Sequence, residues 1–97
     1  MSVKTTRSTI YKQCREKLGL NQSEWARLFF LMPKSTPKSE IKGQNNVSNK
    51  ETGARGVNYP EALAAQLLCL LADEGYDVSQ LDFDSDGNVI GIVKDPQ

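Results

Sequence analysis

The chain has no histidine and only two cysteines in its 97 residues. Without histidine it lacks the commonest general base and metal ligand. Cys14 and Cys69 both fall at apolar helical positions, which reads as buried reduced thiols of a cytosolic protein rather than as a disulfide. A glycine-rich phosphate loop and a metal-ligand cluster are missing too. These absences speak against an enzyme and leave no catalytic residue, metal or cofactor to expect. No run approaches the roughly 18 apolar residues of a membrane span. The MSVKTTRST start has no apolar leader stretch, so the expected location is cytoplasmic.

Net charge is absent as well, but only in the sum. Met1–Asn58 holds eleven Lys/Arg against four Asp/Glu, a net +7, and Tyr59–Gln97 holds one against eight, a net −7. Polyanion binding depends on local potential, so the basic half keeps nucleic acid open as a partner. The acidic half fits a surface turned away from phosphates. A single domain of this size buries one modest core, which dimerisation would naturally supplement.

Ile10, Cys14 and Leu18 recur every fourth residue, with Tyr11 beside them, predicting a helix over about Arg7–Leu18. Thr6 can cap its start and Gly19 suits its stop. Asn21 with Glu24 three residues on is close to a capping box. Behind it Trp25, Leu28, Phe29 and Met32 follow the helical core spacing. MPKSTPKSEIKG (Met32–Gly43) breaks the pattern: two prolines predict a loop, with room for one helical turn after Thr36-Pro37. Its Lys34, Lys38 and Lys42 suit either a phosphate-contacting arm or a solvated mobile loop.

Gln44–Thr52 is dense in amides. Val47 is its single apolar position, while Gln44, Asn45, Asn46, Ser48 and Asn49 crowd the other side. Such a set makes a weak helix by propensity. It reads as an Asn/Gln-rich loop or, if helical, as a rod able to donate and accept on one adenine edge. Tyr59-Pro60 opens a further helix to about Asp73, stopped at Gly75. Leu63, Leu67, Leu70 and Leu71 form one face there, and Ala64, Leu68 and Cys69 spread apolar character around it. A helix apolar nearly all round must be covered on both sides, which points to a partner subunit. LDFDSDGNVIGIV (Leu81–Val93) predicts a hairpin about a two-residue Asp86-Gly87 turn. That register pairs Phe83 with Ile90 and Leu81 with Ile92 on one apolar face. The same stretch opens like a calcium loop, but Val93 stands where an EF-hand needs glutamate.

LGLNQSEWA (Leu18–Ala26) and VSNKETGARGVN (Val47–Asn58), taken together, resemble the helix-turn-helix of Cro/CI-type, XRE-like phage repressors, over roughly residues 7–72. The resemblance implies a mainly α, lambda-repressor-like bundle of four or five helices over 1–75. Residues 76–97 would add a C-terminal β-hairpin for packing or dimerisation. By match to the motif, Gln44, Asn45 and Asn49 take base-reading places, with Ser48 beside them. Gln22, Asn46 and Arg55 would contact the DNA backbone, joined by Lys34, Lys38 and Lys42. Ala26 is the small residue that lets two helices approach. Arg15, which periodicity alone leaves open as a solvated surface arginine, would pair with Glu51. The chain departs from the pattern at Phe30, where the family usually has glycine, and in about eleven extra residues before Val47. Lys50 stands where the family is usually apolar, and its stem could snorkel towards the DNA backbone.

The implied function is a sequence-specific regulator, expected to be a repressor, bound to double-stranded DNA. It would act as a homodimer on an inverted repeat, with Leu68, Phe83, Ile90 and Ile92 expected at the subunit contact. A phage or other mobile-element origin is plausible on this likeness. The alternative is an antitoxin-like interaction module whose acidic half binds a partner protein.

Overall fold

The computed structural model describes residues 6–94. Helices α1 (Arg7–Lys17), α2 (Gln22–Phe29), α3 (Gln44–Thr52) and α4 (Tyr59–Asp73) are followed by strands β1 (Tyr76–Phe83) and β2 (Val89–Lys94). The strands form one antiparallel two-stranded sheet, so the fold is helix-dominated with a C-terminal hairpin.

Local chemistry sets most boundaries. Thr6 accepts from the Thr9 N–H at the start of α1. Asn21 with Glu24, and Asn58 with Glu61, form complete capping boxes for α2 and α4. Each satisfies two backbone donors that a helix start would otherwise leave without partners. α2 ends at Phe29, so Met32 lies past the helix rather than continuing its core face.

An aromatic trio joins α1 to α2. Tyr11 meets Trp25 and Phe29 edge-on at centroid distances of 5.6 and 5.0 Å, and Trp25 lies 4.8 Å from Phe29. Around it pack Leu20, Ala26, Leu28, Val47, Val57, Ala62, Ala65, Leu68, Val78 and Phe83. One core therefore unites all four helices and the hairpin. The expected division at residue 75 cuts through that core, and residues 95–97 of the expected second part lie outside the described residues.

Three sequence expectations change. The first is the hairpin. Its loop is Ser85-Asp86-Gly87, closed by the Asp84 N–H on the Asn88 carbonyl at 2.9 Å, with Gly87 at φ +86°. The Asp84 carboxylate accepts from the N–H groups of Asp86 and Asn88 and from the Asn88 side chain, which places Asp84 at the corner. Phe83 then faces Val89 and Asp82 faces Gly91, so Ile90 is a bulge residue. Phe83 is buried while Ile90 is 60% exposed, so the predicted Phe83–Ile90 pair does not form, whereas Asp82 opposite Gly91 keeps the predicted register at that point. β1 begins at Tyr76, where the expected 76–97 hairpin segment starts and five residues before the Leu81–Val93 stretch.

The second is α4. Its core side is Ala62, Ala65, Leu68 and Cys69, with Leu71 half-buried beside them, whereas Leu63, Leu67 and Leu70 are exposed. Small residues lie inward because α1 packs closely there. The third concerns the expected subunit contact. Leu68 and Phe83 are consumed by the protein's own core, and Ile92 packs partly against it, which leaves only Ile90 outward.

The Met32–Gly43 insertion is tethered rather than free. The buried Arg27 guanidinium donates to the Met32 and Ser79 carbonyls, both at 3.0 Å. The Lys34 N–H donates to Asp82 at 2.7 Å. A short 3-10 turn, Lys38–Glu40, follows Pro37, and Ile41 packs on the core. Phe30 covers Gly43, where an added Cβ would fall 2.4 Å from the ring. Gly43 also has φ +96°, a conformation that L side chains rarely adopt.

Gly43→Ala meets both obstacles, and we expect it to destabilise the fold by roughly 2–3 kcal/mol. Urea unfolding checks this; an unchanged midpoint would contradict the packing described. The backbone N–H of Lys34 holds the Asp82 carboxyl below the usual carboxylate range, and the N–H of Asn88 does the same for Asp84. A depressed folded pKa gives stability that is present above the unfolded value of about 4 and is lost as pH falls through the folded one. In an NMR pH titration the Asp86 and Asn88 amides should therefore move only below about pH 4. Transitions at or above that value would contradict the Asp84 bonds.

Candidate nucleic-acid interface

α3 is short and has weak intrinsic helicity, so its position depends on partners. Val47 is fully buried and supplies its only apolar anchor in the core. At the helix's far end Glu51 accepts from three donors. Arg15 Nε reaches Oε2 at 2.6 Å, Arg15 Nη2 reaches Oε1 at 3.1 Å, and Gln22 Nε2 reaches Oε1 at 3.2 Å. Arg15 Nη1 continues to the Leu20 carbonyl at 2.8 Å. One carboxylate thus connects α1, the α1–α2 turn, α2 and α3. The bond to Glu51 raises the Arg15 pKa still further. The Glu51 side chain is 3% exposed and Arg15 15%, so this pair fixes geometry more than it adds net stability.

The outward side of α3 carries Gln44, Asn45 and Asn49, all exposed, with Ser48 half-buried beside them. Gln44 Nε2 also donates to the buried Ser23 at 3.3 Å, which orients that side chain against the start of α2. Arg55 lies exposed past the stop, its N–H bonded to the Asn49 carbonyl at 3.0 Å.

Between the starts of α2 and α3 is an open polar cleft of about 470 Å³. It is lined by Arg15, Asn21, Gln22, Ser23, Lys38 and Gln44. The first turn of α2 directs N–H groups without intrahelical partners, and the positive end of the helix dipole, towards this region. Lys38 comes from the insertion, so the tethered loop delivers a cation to the place where the two helices begin. A second cleft, of about 350 Å³, is lined by Lys34, Thr36 and Lys38 on its loop side. Lys34, Lys38 and Lys42 are all exposed.

Some expected backbone contacts are committed elsewhere. Lys50 does not turn outward: its ammonium pairs with Glu61, and both side chains are largely buried. The lysine ties the end of α3 to the first turn of α4, which accounts for a charge where an apolar residue was expected. Asn46 is half-buried, with its side-chain oxygen sealed inside and unpartnered among the described residues. The Gln22 side chain points to Glu51, leaving its backbone N–H as the group available to an anion.

Sequence reasoning missed Arg27, Ser23 and the Lys50–Glu61 pair. Arg27 had a signal, since it interrupts the apolar run between Ala26 and Leu28. Ser23 and Lys50–Glu61 had none, because their partners are set by tertiary packing. Burial beside Cys69 pushes the Cys14 thiol up to about 12, so it stays protonated near neutral pH. Among the described residues no three His, Cys, Asp or Glu side chains are grouped to hold a metal ion. No helix there is long and apolar enough to cross a membrane.

Glu51→Gln would leave the half-buried Arg15 without its counter-charge, and we expect a loss of roughly 2–4 kcal/mol in urea unfolding. A loss below about 0.5 kcal/mol would place the pair among weak surface contacts. No family model, curated protein or solved structure matches the chain, so the reading of this surface rests on its own residues.

Proposed function

We propose that the protein is a sequence-specific, double-stranded-DNA-binding transcriptional regulator of lambda-repressor-like, helix-turn-helix type, acting as a homodimeric repressor. The observation that carries this reading is the outward amide row Gln44, Asn45 and Asn49 on a helix held by Glu51 and flanked by cations. A major groove admits one helix, and amide side chains pair two-endedly with adenine N6 and N7. Lys38, Arg55, Lys42 and the α2 start supply phosphate contacts around the rod. On an inverted repeat, the two α3 helices would enter successive major grooves about 34 Å apart.

Backbone groups position such a protein and base contacts specify its site. The separation gives two distinguishable mutant classes. Selection from a random duplex library first defines the preferred site. Gln44→Ala and Asn45→Ala should then each lose about 1–3 kcal/mol on that site and little on random duplex. Lys38→Ala should weaken both duplexes alike and reduce the salt slope by about one. Fluorescence anisotropy at several salt concentrations measures all of these. Equal losses on both duplexes for the α3 variants would overturn the base-reading assignment.

A further inference from the structure

α4 carries a second apolar face that the core leaves uncovered. Leu63, Leu67 and Leu70 are 57%, 48% and 54% exposed. At 100° per residue they fall on one stripe, opposite the buried Ala65, Leu68 and Ala62. The same stripe holds exposed Tyr59 at its start and exposed Glu74 at its end. It spans about 22 Å at the usual helical rise.

Two features select the occupant. Leu63 with Leu70, and Tyr59 with Glu74, share one midpoint, between Gln66 and Leu67. An antiparallel copy of the helix therefore sets Leu63 against Leu70 of the second chain, and Tyr59 against its Glu74. The stripe is complementary to itself about a two-fold axis, as an isologous contact requires. Charge matches as well. The Arg7 guanidinium lies 4.2 Å over the Tyr59 ring, and its Nε is fixed on the Val57 carbonyl at 2.6 Å. One end of the stripe is thus positive. The other end carries Asp73 and Glu74 at a helix C-terminus with no basic residue in its last turn, which opposes the helix dipole. Lys17 reaches Asp73 across 3.5 Å, while Glu74 has no ion pair among the described residues. A second copy brings Arg7 to that uncompensated end, twice per dimer.

We propose that α4 pairs antiparallel with α4 of a second copy through Tyr59, Leu63, Leu67, Leu70 and Glu74. This deepens the homodimeric reading and rests on it for its purpose, but its physics needs no DNA. The pairing replaces Leu68 and Phe83 as the subunit contact. It borders an apolar groove of about 380 Å³ that Leu67 shares with Leu31, Pro60 and Ala64, so the buried surface extends past the stripe.

Sedimentation equilibrium of the full chain without DNA tests the pairing. The wild type should be dimeric at tens of micromolar. Leu63→Glu and Leu70→Glu should each weaken association roughly 100-fold or more, because every substitution acts twice. Their circular dichroism spectra should keep the wild-type helix content, since both side chains are exposed, and any fall in the melting temperature should disappear on dilution to where the wild type is itself monomeric. Glu74→Arg should weaken the dimer, and Arg7→Glu combined with it should restore association. Ile90→Glu, on the exposed hairpin, should have no effect. A monomeric wild type, a dimer insensitive to both leucine substitutions, or one dissolved by Ile90→Glu alone would overturn the proposal. DNA selection by the wild type reads the functional proposal separately, so either can fail without the other.

Discussion

The Glu51 carboxylate is the constraint on which the arrangement depends. α3 has one buried apolar residue, no side-chain cap at its start and an amide-rich sequence. Alone, such a segment would not persist as a helix. Arg15 and Gln22 reach Glu51 from two other helices, and Lys50 beside it pairs with α4. Adjacent residues of α3 therefore attach it to every other helix, all from one end. The opposite end is set by Gly43 beneath Phe30. Between these two anchors the polar side is left outward, free of the core.

Paired charges at this position cost desolvation and give orientation in return. Orientation is what a reading surface requires, because a hydrogen-bonding side chain displaced by an ångström no longer meets its partner. The insertion fits the same logic. Arg27 and Asp82 bind its backbone to the core and hairpin, so Lys38 reaches the cleft from a restrained loop. The acidic hairpin contributes through that tether. Two of its carboxylates, Asp82 and Asp84, are occupied by backbone N–H groups.

Much of this was legible in the sequence because it is local. Asn21 with Glu24 specifies a helix start whatever surrounds it, and Trp25, Leu28 and Phe29 state their inward face by spacing. Helix α3 was legible only as an alternative to a loop, since propensity and packing disagree there and packing prevails. The hairpin register was legible only in part: Asp82 opposite Gly91 keeps it, and the turn side of that pair does not. Asp86-Gly87 suggests a two-residue turn, yet the Asp84 carboxylate gathers loop N–H groups and moves the corner back. That shift turns Ile90 out. The faces of α4 were ambiguous for a different reason: a helix apolar on all sides carries no periodic signal for which side meets the core. Lys50 misled because snorkelling and a partly buried ion pair look alike in one dimension.

The most direct measurement is an amide NMR titration of the labelled protein with its selected duplex. Contact of the α3 rod with DNA predicts the largest shifts at Gln44, Asn45, Asn49, Arg55 and the first turn of α2, with the hairpin loop near Asp84 unmoved. Shifts centred on the hairpin, or none at saturating duplex, would contradict the account.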